Sequence, residues 1–307
     1  MNPVLTFQEY QEHPAVSRSD LLDLYRSPLH YWSKHIDPNR SVVPIDSPAL
    51  QFGIATHMAV LEPERFKDSY VEGPSVPAKS YKAWKDAEAV AKVPLLTPKE
   101  MSAIKAICQN LKTHPSAKEF CYGPGSNETA FIANDPNTGI ELKCLADRLT
   151  DDNIIVDLKT TKNASLAEFS KSVLNFNYHV QAAFYLKVVQ AATGTRPKGF
   201  IFVAVEKEPP YAIQVFNCTH QLIAKGNQIV ESLLLQLQRY QEALKNGVSP
   251  EKPWRSYQRR NLNWFQFKSN KHIYYSLNDI IQFEHSISTT KRIPCQESVQ
   301  EGGLKSA

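Results

Sequence analysis

Between residues 128 and 206 the apolar positions change period repeatedly, and each change marks an element. Ile140, Leu142, Cys144 and Ala146 fall on one side of their segment and leave Asp147 on the other. In the next segment Ile154, Val156 and Leu158 oppose Ile155, Asp157 and Lys159. A period of two belongs to a pleated strand. With an apolar strand at 128–133 and a turn of Asp, Pro, Asn, Thr and Gly at 135–139, the pattern predicts a three-stranded meander whose last two strands carry the aspartates. A nearly unbroken apolar run at 199–206 predicts a sheet centre covered on both faces, and alternation at 211–216 a further strand.

Elsewhere the period is helical. Thr97 can cap a helix with Pro98 in its first turn and Glu100 reaching back, and Met101, Ile104, Ile107, Cys108 and Leu111 form its buried stripe. Ser17 or Ser19 can cap a short amphipathic helix. Small and apolar residues around His57 predict a helix packed closely on a neighbour. Further helices are predicted at 166–169, 178–186 and about 221–244, the last from a stripe that includes Ile223, Val230, Leu233, Leu234 and Leu237. The fold class expected is α/β in the mixed α+β sense, a central mixed sheet flanked by helices.

The chain has 307 residues, enough to bury a sizeable core, and 21% charged residues, as in a soluble globular protein. No apolar run is long enough to cross a bilayer, and the N-terminus lacks the basic region and apolar core of a signal peptide, so a cytoplasmic location is expected. Five scattered cysteines with no CxxC pair support neither a zinc knuckle, a disulfide framework nor an iron-sulfur cluster. Residues 251–307 hold nine Lys/Arg against five Asp/Glu, which accounts for the net charge of +4. This tail interleaves aromatic and basic residues from Trp254 to Lys268, a mixture that suits nucleic acid and equally a protein partner. The division expected is a body at 1–250, with a helical decoration over about 1–115, and an appended segment at 251–307 whose end is disordered.

The candidate chemistry sits on the meander. Asp147 and Asp157 are ten positions apart across a short turn, so an antiparallel hairpin can bring the carboxylates together, and a bound cation makes such proximity cheap. An acid followed by acid-x-lysine at the end of the next strand, here Asp147 with Asp157, Leu158 and Lys159, is the metal-dependent nuclease pattern PD-(D/E)xK. Alone the pattern is weak. His57 is either a satisfied core histidine or a ligand or supporting partner of such a site. Glu128 is either a further acidic ligand or a surface residue at a strand start. Gln181 and Tyr185, four apart on one helical face, are a polar pair that needs partners, for which a ligand phosphate or the lysine would serve. A lysine-bearing segment at 72–93 is either a solvated helix or a phosphate contact.

Taken in order, these pieces resemble the exodeoxyribonuclease VIII (RecE-type) nuclease family, a branch of the PD-(D/E)xK superfamily that also contains the RecB-like nucleases. The resemblance runs from Ser17, Arg18 and Ser19 through Gly53 to His57, Leu61 to Phe66, the 135–139 turn, Asp147, the segment Asp157 to Thr161 and the segment Tyr178 to Tyr185, reaching about Gly247. Ala146 stands where the superfamily name has proline, which is not a ligand. The resemblance implies a restriction-endonuclease-like core at 1–250 and Mg²⁺-dependent phosphodiester hydrolysis, with Mn²⁺ an alternative and one or two ions per site. Asp147, Asp157 and the Leu158 carbonyl would hold the metal, and His57 would add or orient a ligand. Lys159 would position the attacking water, Gln181 and Tyr185 would orient the lysine or the substrate strand, and Arg148 would touch phosphate. It further implies digestion of linear double-stranded DNA from 5′ ends to leave 3′ tails for a single-strand annealing protein, by a ring-shaped homotetramer. A RecB-like or structure-selective nuclease of other polarity is the alternative within enzymes. Outside them stands a catalytically idle DNA-binding module.

Overall fold

The computed structural model describes residues 7–40 and 47–247. The tail at 251–307, with its aromatic and basic residues, lies outside the described residues. The N-terminal part is helical: α1 (Phe7–Glu12), α2 (Arg18–Arg26), α3 (Pro28–Tyr31) running into a π-helical turn (Trp32–Ile36), α4 (Pro48–Leu61) and α5 (Pro63–Ser69). Two short strands, β1 (Val71–Glu72) and β2 (Leu95–Leu96), pair in parallel around α6 (Lys82–Val90), and α7 (Pro98–Thr113) and α8 (Ala117–Tyr122) follow. The main sheet comes next: β3 (Gly125–Asn134), β4 (Glu141–Thr150), β5 (Ile154–Thr161), then α9 (Leu166–Asn175), α10 (Tyr178–Thr193), β6 (Gly199–Glu206), β7 (Ile213–Asn217) and α11 (His220–Lys245).

The sheet is mixed, in the order β3-β4-β5-β6-β7. β3, β4 and β5 form the expected antiparallel meander, and α9 and α10 carry the chain over to β6, which lies parallel to β5. Two cores cover the two faces. On one, Leu142, Cys144, Ala146, Ile155, Phe200 and Phe202 pack against α2, α9, α10 and α11. On the other, Val156, Leu158, Ile201, Val203 and Val205 pack against α4, α7 and α8. The continuous apolar run of β6 follows from this two-sided burial.

Local chemistry sets the element ends. Ser17 caps α2 in a reciprocal box with Asp20, which decides between the two candidate serines, and Thr97 and Glu100 do the same for α7. Arg148 was expected against phosphate. It is instead 3% exposed and donates to Asn127 Oδ1 and the Gly123 carbonyl. Asn127 in turn donates to the Leu61 carbonyl at 2.7 Å, so a buried guanidinium braces β3 and the end of α4. The physical reason is position: Arg148 pairs with Val156 where both sheet faces are covered, and a buried cation must find acceptors. The lysines of the 72–93 segment follow the solvated reading, with Lys82, Lys85 and Lys92 exposed on and after α6 and Lys79 beside Glu100 and the Trp84 ring.

Helices α10 and α11 meet at Gly226, where a Cβ would lie 2.2 Å from the His179 carbonyl oxygen and 2.8 Å from the Ala183 Cβ. Backbone cannot yield as a flexible side chain does. Gly226→Ala is therefore expected to destabilise the protein by about 1–3 kcal/mol, the usual cost of overpacking, read as a lower urea midpoint. An unchanged midpoint would show that the two helices can separate freely.

Candidate metal centre

The site lies in the fork where β4 and β5 separate. Their ladder pairs Arg148 with Val156 and Leu149 with Ile155. At the next step Asp147 Oδ2 accepts the Leu158 N–H at 2.8 Å, so a side-chain carboxylate stands where a backbone carbonyl would. α4 approaches the fork from one face and α10 from the other. α4 passes close to the end of β5 at Gly53, where a Cβ would be in van der Waals contact with Thr160 Oγ1 at 3.4 Å. This places His57 Nδ1 3.4 Å from Asp147 Oδ2, with the Leu158 carbonyl accepting from the imidazole.

Glu128 is the third member. The β3–β4 ladder keeps one register on either side of Glu128, at Asn127↔Arg148 and Thr129↔Ala146, and skips the step between them, so Glu128 stands across from Asp147 without pairing to it. Its φ of 45° is left-handed, a conformation that costs a residue other than glycine roughly 1–2 kcal/mol. Ligand atoms of His57, Glu128 and Asp147 all lie within 4.8 Å of one another. They open into a cavity of about 530 Å³, also lined by Leu50, Ile54, Met58, Glu62, Arg65, Lys159, Thr160 and Tyr178.

Behind this triad is a second, drier layer. Asp157 is 1% exposed; Gln181 Nε2 donates to its Oδ1, and Lys159 Nζ stands 2.5 Å from its Oδ2. Lys159 also lies over the Tyr178 ring at 4.9 Å. Gln181, expected as a partner of the lysine or the substrate, holds Asp157, the expected metal ligand, and its own Oε1 is buried without a partner among the described residues. Tyr185 is half-buried beside the Phe184 and Phe200 rings. Sequence reasoning left Glu128 ambiguous and passed over Glu62, Arg65 and Tyr178 individually.

The electrostatics follow from crowding acids in a shielded place. Burial, reinforced by Asp147 and Glu62 and opposed by Arg65, pushes the Glu128 carboxyl up to about 8. Burial also raises Asp157, with Lys159 pulling the other way and Asp147 adding to the rise. Burial lowers His57, against the pull of Asp147, so the imidazole is neutral near pH 7 and able to ligate. Two carboxylates and one neutral imidazole suit an oxygen-preferring divalent ion that tolerates one nitrogen, such as Mg²⁺ or Mn²⁺. The like charges that oppose one another without an ion become the attraction for one.

This core is of the restriction-endonuclease-like, PD-(D/E)xK type. More particularly, residues 17–253 match the family described as a PDDEXK-like domain of unknown function (DUF3799), and the chain belongs to that family. Among solved structures it is similar to "Putative exonuclease" from Eubacterium rectale, at 15% identity and a TM-score of 0.57, covering 87% of this chain and 99% of that one. An alkaline exonuclease from Laribacter hongkongensis, LHK-Exo, is also 15% identical over 63% of this chain and 91% of its own, with a TM-score of 0.27. At these identities the first likeness speaks to the fold, and the second carries no argument. No curated protein matches the sequence. No helix among the described residues is long and apolar enough to cross a membrane.

A pH-dependent stability follows. Because the Glu128 carboxyl is raised in the folded protein, its contribution is fully present below the unfolded carboxyl value and is lost as pH rises through about 8. His57 is lowered, so its contribution is complete above the ordinary imidazole value and does not change in that upper range. Melting in chelator is therefore expected to show a lower Tm near pH 9 than near pH 6.5, with Mg²⁺ or Mn²⁺ raising Tm more at the higher pH. Glu128→Gln should flatten the chelator profile. A profile as steep in the variant as in the parent would remove Glu128 from the site.

Proposed function

We propose that the protein is a divalent-metal-dependent deoxyribonuclease acting on linear double-stranded DNA. Within that reading we assign it the exodeoxyribonuclease VIII type of action: digestion from 5′ ends, leaving 3′ single-stranded tails for an annealing protein in recombination, by a homotetrameric ring. The nuclease body is assigned to residues 1–250. The observation that carries the reading is the meeting of His57, Glu128 and Asp147 around one point, with the Asp157–Lys159 pair directly behind it. The finer assignment rests on the resemblance set out from the sequence; the fold neighbour bearing an exonuclease name is in keeping with exonuclease action and says nothing of polarity or assembly.

His57, Glu128 and Asp147 would hold the ion, with Asp157 and the Leu158 carbonyl adjoining. A divalent ion so placed supplies an acidified water and charge stabilisation at the scissile phosphate. Asp147, fixed by the Leu158 N–H, sets the position of that centre relative to β5. Lys159, kept cationic by Asp157 and Asp147, orients the attacking water and offsets charge that grows on the phosphate. Tyr178 confines the ammonium from above, and Gln181 holds Asp157 so that its charge stays toward the lysine. On the α4 side the cavity wall is apolar, formed by Leu50, Ile54 and Met58.

Linear duplex labelled at the 5′ or the 3′ end, incubated with and without Mg²⁺, tests this directly. Release of 5′ label first, dependent on the ion and absent with closed circles, is expected. Cutting of closed circles would replace the exonuclease assignment with a structure-selective one, and early release of 3′ label would reverse the polarity. Asp157→Ala and Lys159→Ala are expected to abolish hydrolysis while sparing the fold and DNA binding. Full Mg²⁺-dependent activity in either would contradict the site.

A further inference from the structure

Resting on the nuclease reading, we propose that Arg65 is a substrate-binding residue that holds a DNA backbone phosphate beside the one cleaved, exchanging its contact with Glu62 for that phosphate.

Arg65 and Lys159 are the cationic side chains that line the cavity among the described residues. Lys159 is committed: its side chain is 17% exposed and its ammonium lies 2.5 Å from a buried carboxylate. Arg65 Nη1 donates to Glu62 Oε2 at 2.8 Å, in an i,i+3 pair whose side chains are 44% and 27% exposed. Exposed pairs of this kind contribute about 0–1 kcal/mol, so a phosphate can displace the carboxylate. The guanidinium then offers a planar fork that matches two phosphate oxygens.

The aim of Arg65 is fixed by its neighbours on α5. Phe66 is anchored in a third apolar cluster with Ala55, Leu96, Met101 and Ile104 and lies against the Tyr70 ring. Glu64 and Lys67 pair with each other on the solvent side, 83% and 66% exposed. The start of α5 is tied to the sheet through the Leu61 carbonyl held by Asn127, the residue before Glu128. Arg65 thereby lines the same cavity as Glu128 and Asp147. A polyanion entering a cavity with Glu62, Glu128 and Asp147 on its wall meets repulsion from acids that the metal does not fully offset. A guanidinium at the same wall lowers that barrier for a phosphate lying next to the metal.

The test compares the full-length protein with Arg65→Ala, Arg65→Lys and, on the same helix, Lys67→Ala. Binding to a short blunt duplex is read with Ca²⁺ across a salt series, and turnover with Mg²⁺. Losing one phosphate contact is expected to reduce the slope of log Kd against log[salt] by about 0.9 and to weaken binding roughly eightfold near about 0.1 M salt. The loss in kcat/KM should fall on KM, with partial rescue by Arg65→Lys and a parental slope in Lys67→Ala. Glu62→Gln, which removes the internal competitor, should tighten binding. If the parent cuts duplex while Arg65→Ala keeps its slope and KM, the Arg65 assignment fails and the nuclease reading stands. If the parent neither binds nor cuts duplex, the nuclease reading itself fails.

Discussion

Asp147 accepts a backbone N–H from Leu158, and in doing so it ends a β-ladder with a charged side chain. Much of the surrounding structure can be understood as the support this substitution requires. Strands that part leave a gap, and a gap within a sheet exposes polar backbone that must be paired or wetted. Here the gap is filled from both faces. α4 brings His57 to Asp147 and to the Leu158 carbonyl, while α10 brings Gln181 to Asp157. The buried Arg148–Asn127–Leu61 chain locks the adjoining edge. None of these groups packs as a hydrophobic residue would, and each instead supplies one partner to another.

The cost of the arrangement is electrostatic. Glu128 and Asp147 converge half-buried at the cavity with Asp157 buried behind them, and Glu128 adopts a left-handed backbone to take part. A fold does not gain stability from that. It is the kind of local strain and like-charge crowding that accompanies a binding site, since an arriving cation converts mutual repulsion into shared attraction. The inner layer works differently. Asp157 has its cation already, in Lys159; the carboxylate is buried and the lysine reaches from it to the cavity that the outer triad faces. One layer is prepared to receive an ion and the other to keep a lysine charged and aimed.

The sequence carried the fold well because most of its elements agree with their own periodicity. The meander, the covered strand at 199–206 and the capped helix at Thr97 all occur as expected. Both faces of the sheet are buried, so the apolar pattern is strong and the register has little freedom. The site was only partly legible. Asp147, Asp157, Lys159, His57 and Gln181 do come together, but their pairing was not readable, because alternation along a strand tells which side a residue faces and nothing about which acid takes the lysine. Glu128 was within reach: it and Asp147 lie nine and ten positions from Asn137 in the middle of the 135–139 turn, so a hairpin there sets them close to opposite each other. Arg148 misled because a charged residue beside an acid motif looks like a phosphate contact until burial is known. Arg65 could not be distinguished from the other charges of its helix without the anchor that Phe66 provides.

The central claim is that a divalent ion binds at the meeting point of His57, Glu128 and Asp147. Crystals grown with Mn²⁺ and measured for its anomalous scattering test that claim most directly. The account predicts one strong peak in contact with the His57 imidazole and the carboxylates of Glu128 and Asp147, at metal–ligand distances of about 2.0–2.3 Å. A peak elsewhere, or saturating Mn²⁺ with none in the fork, would contradict it.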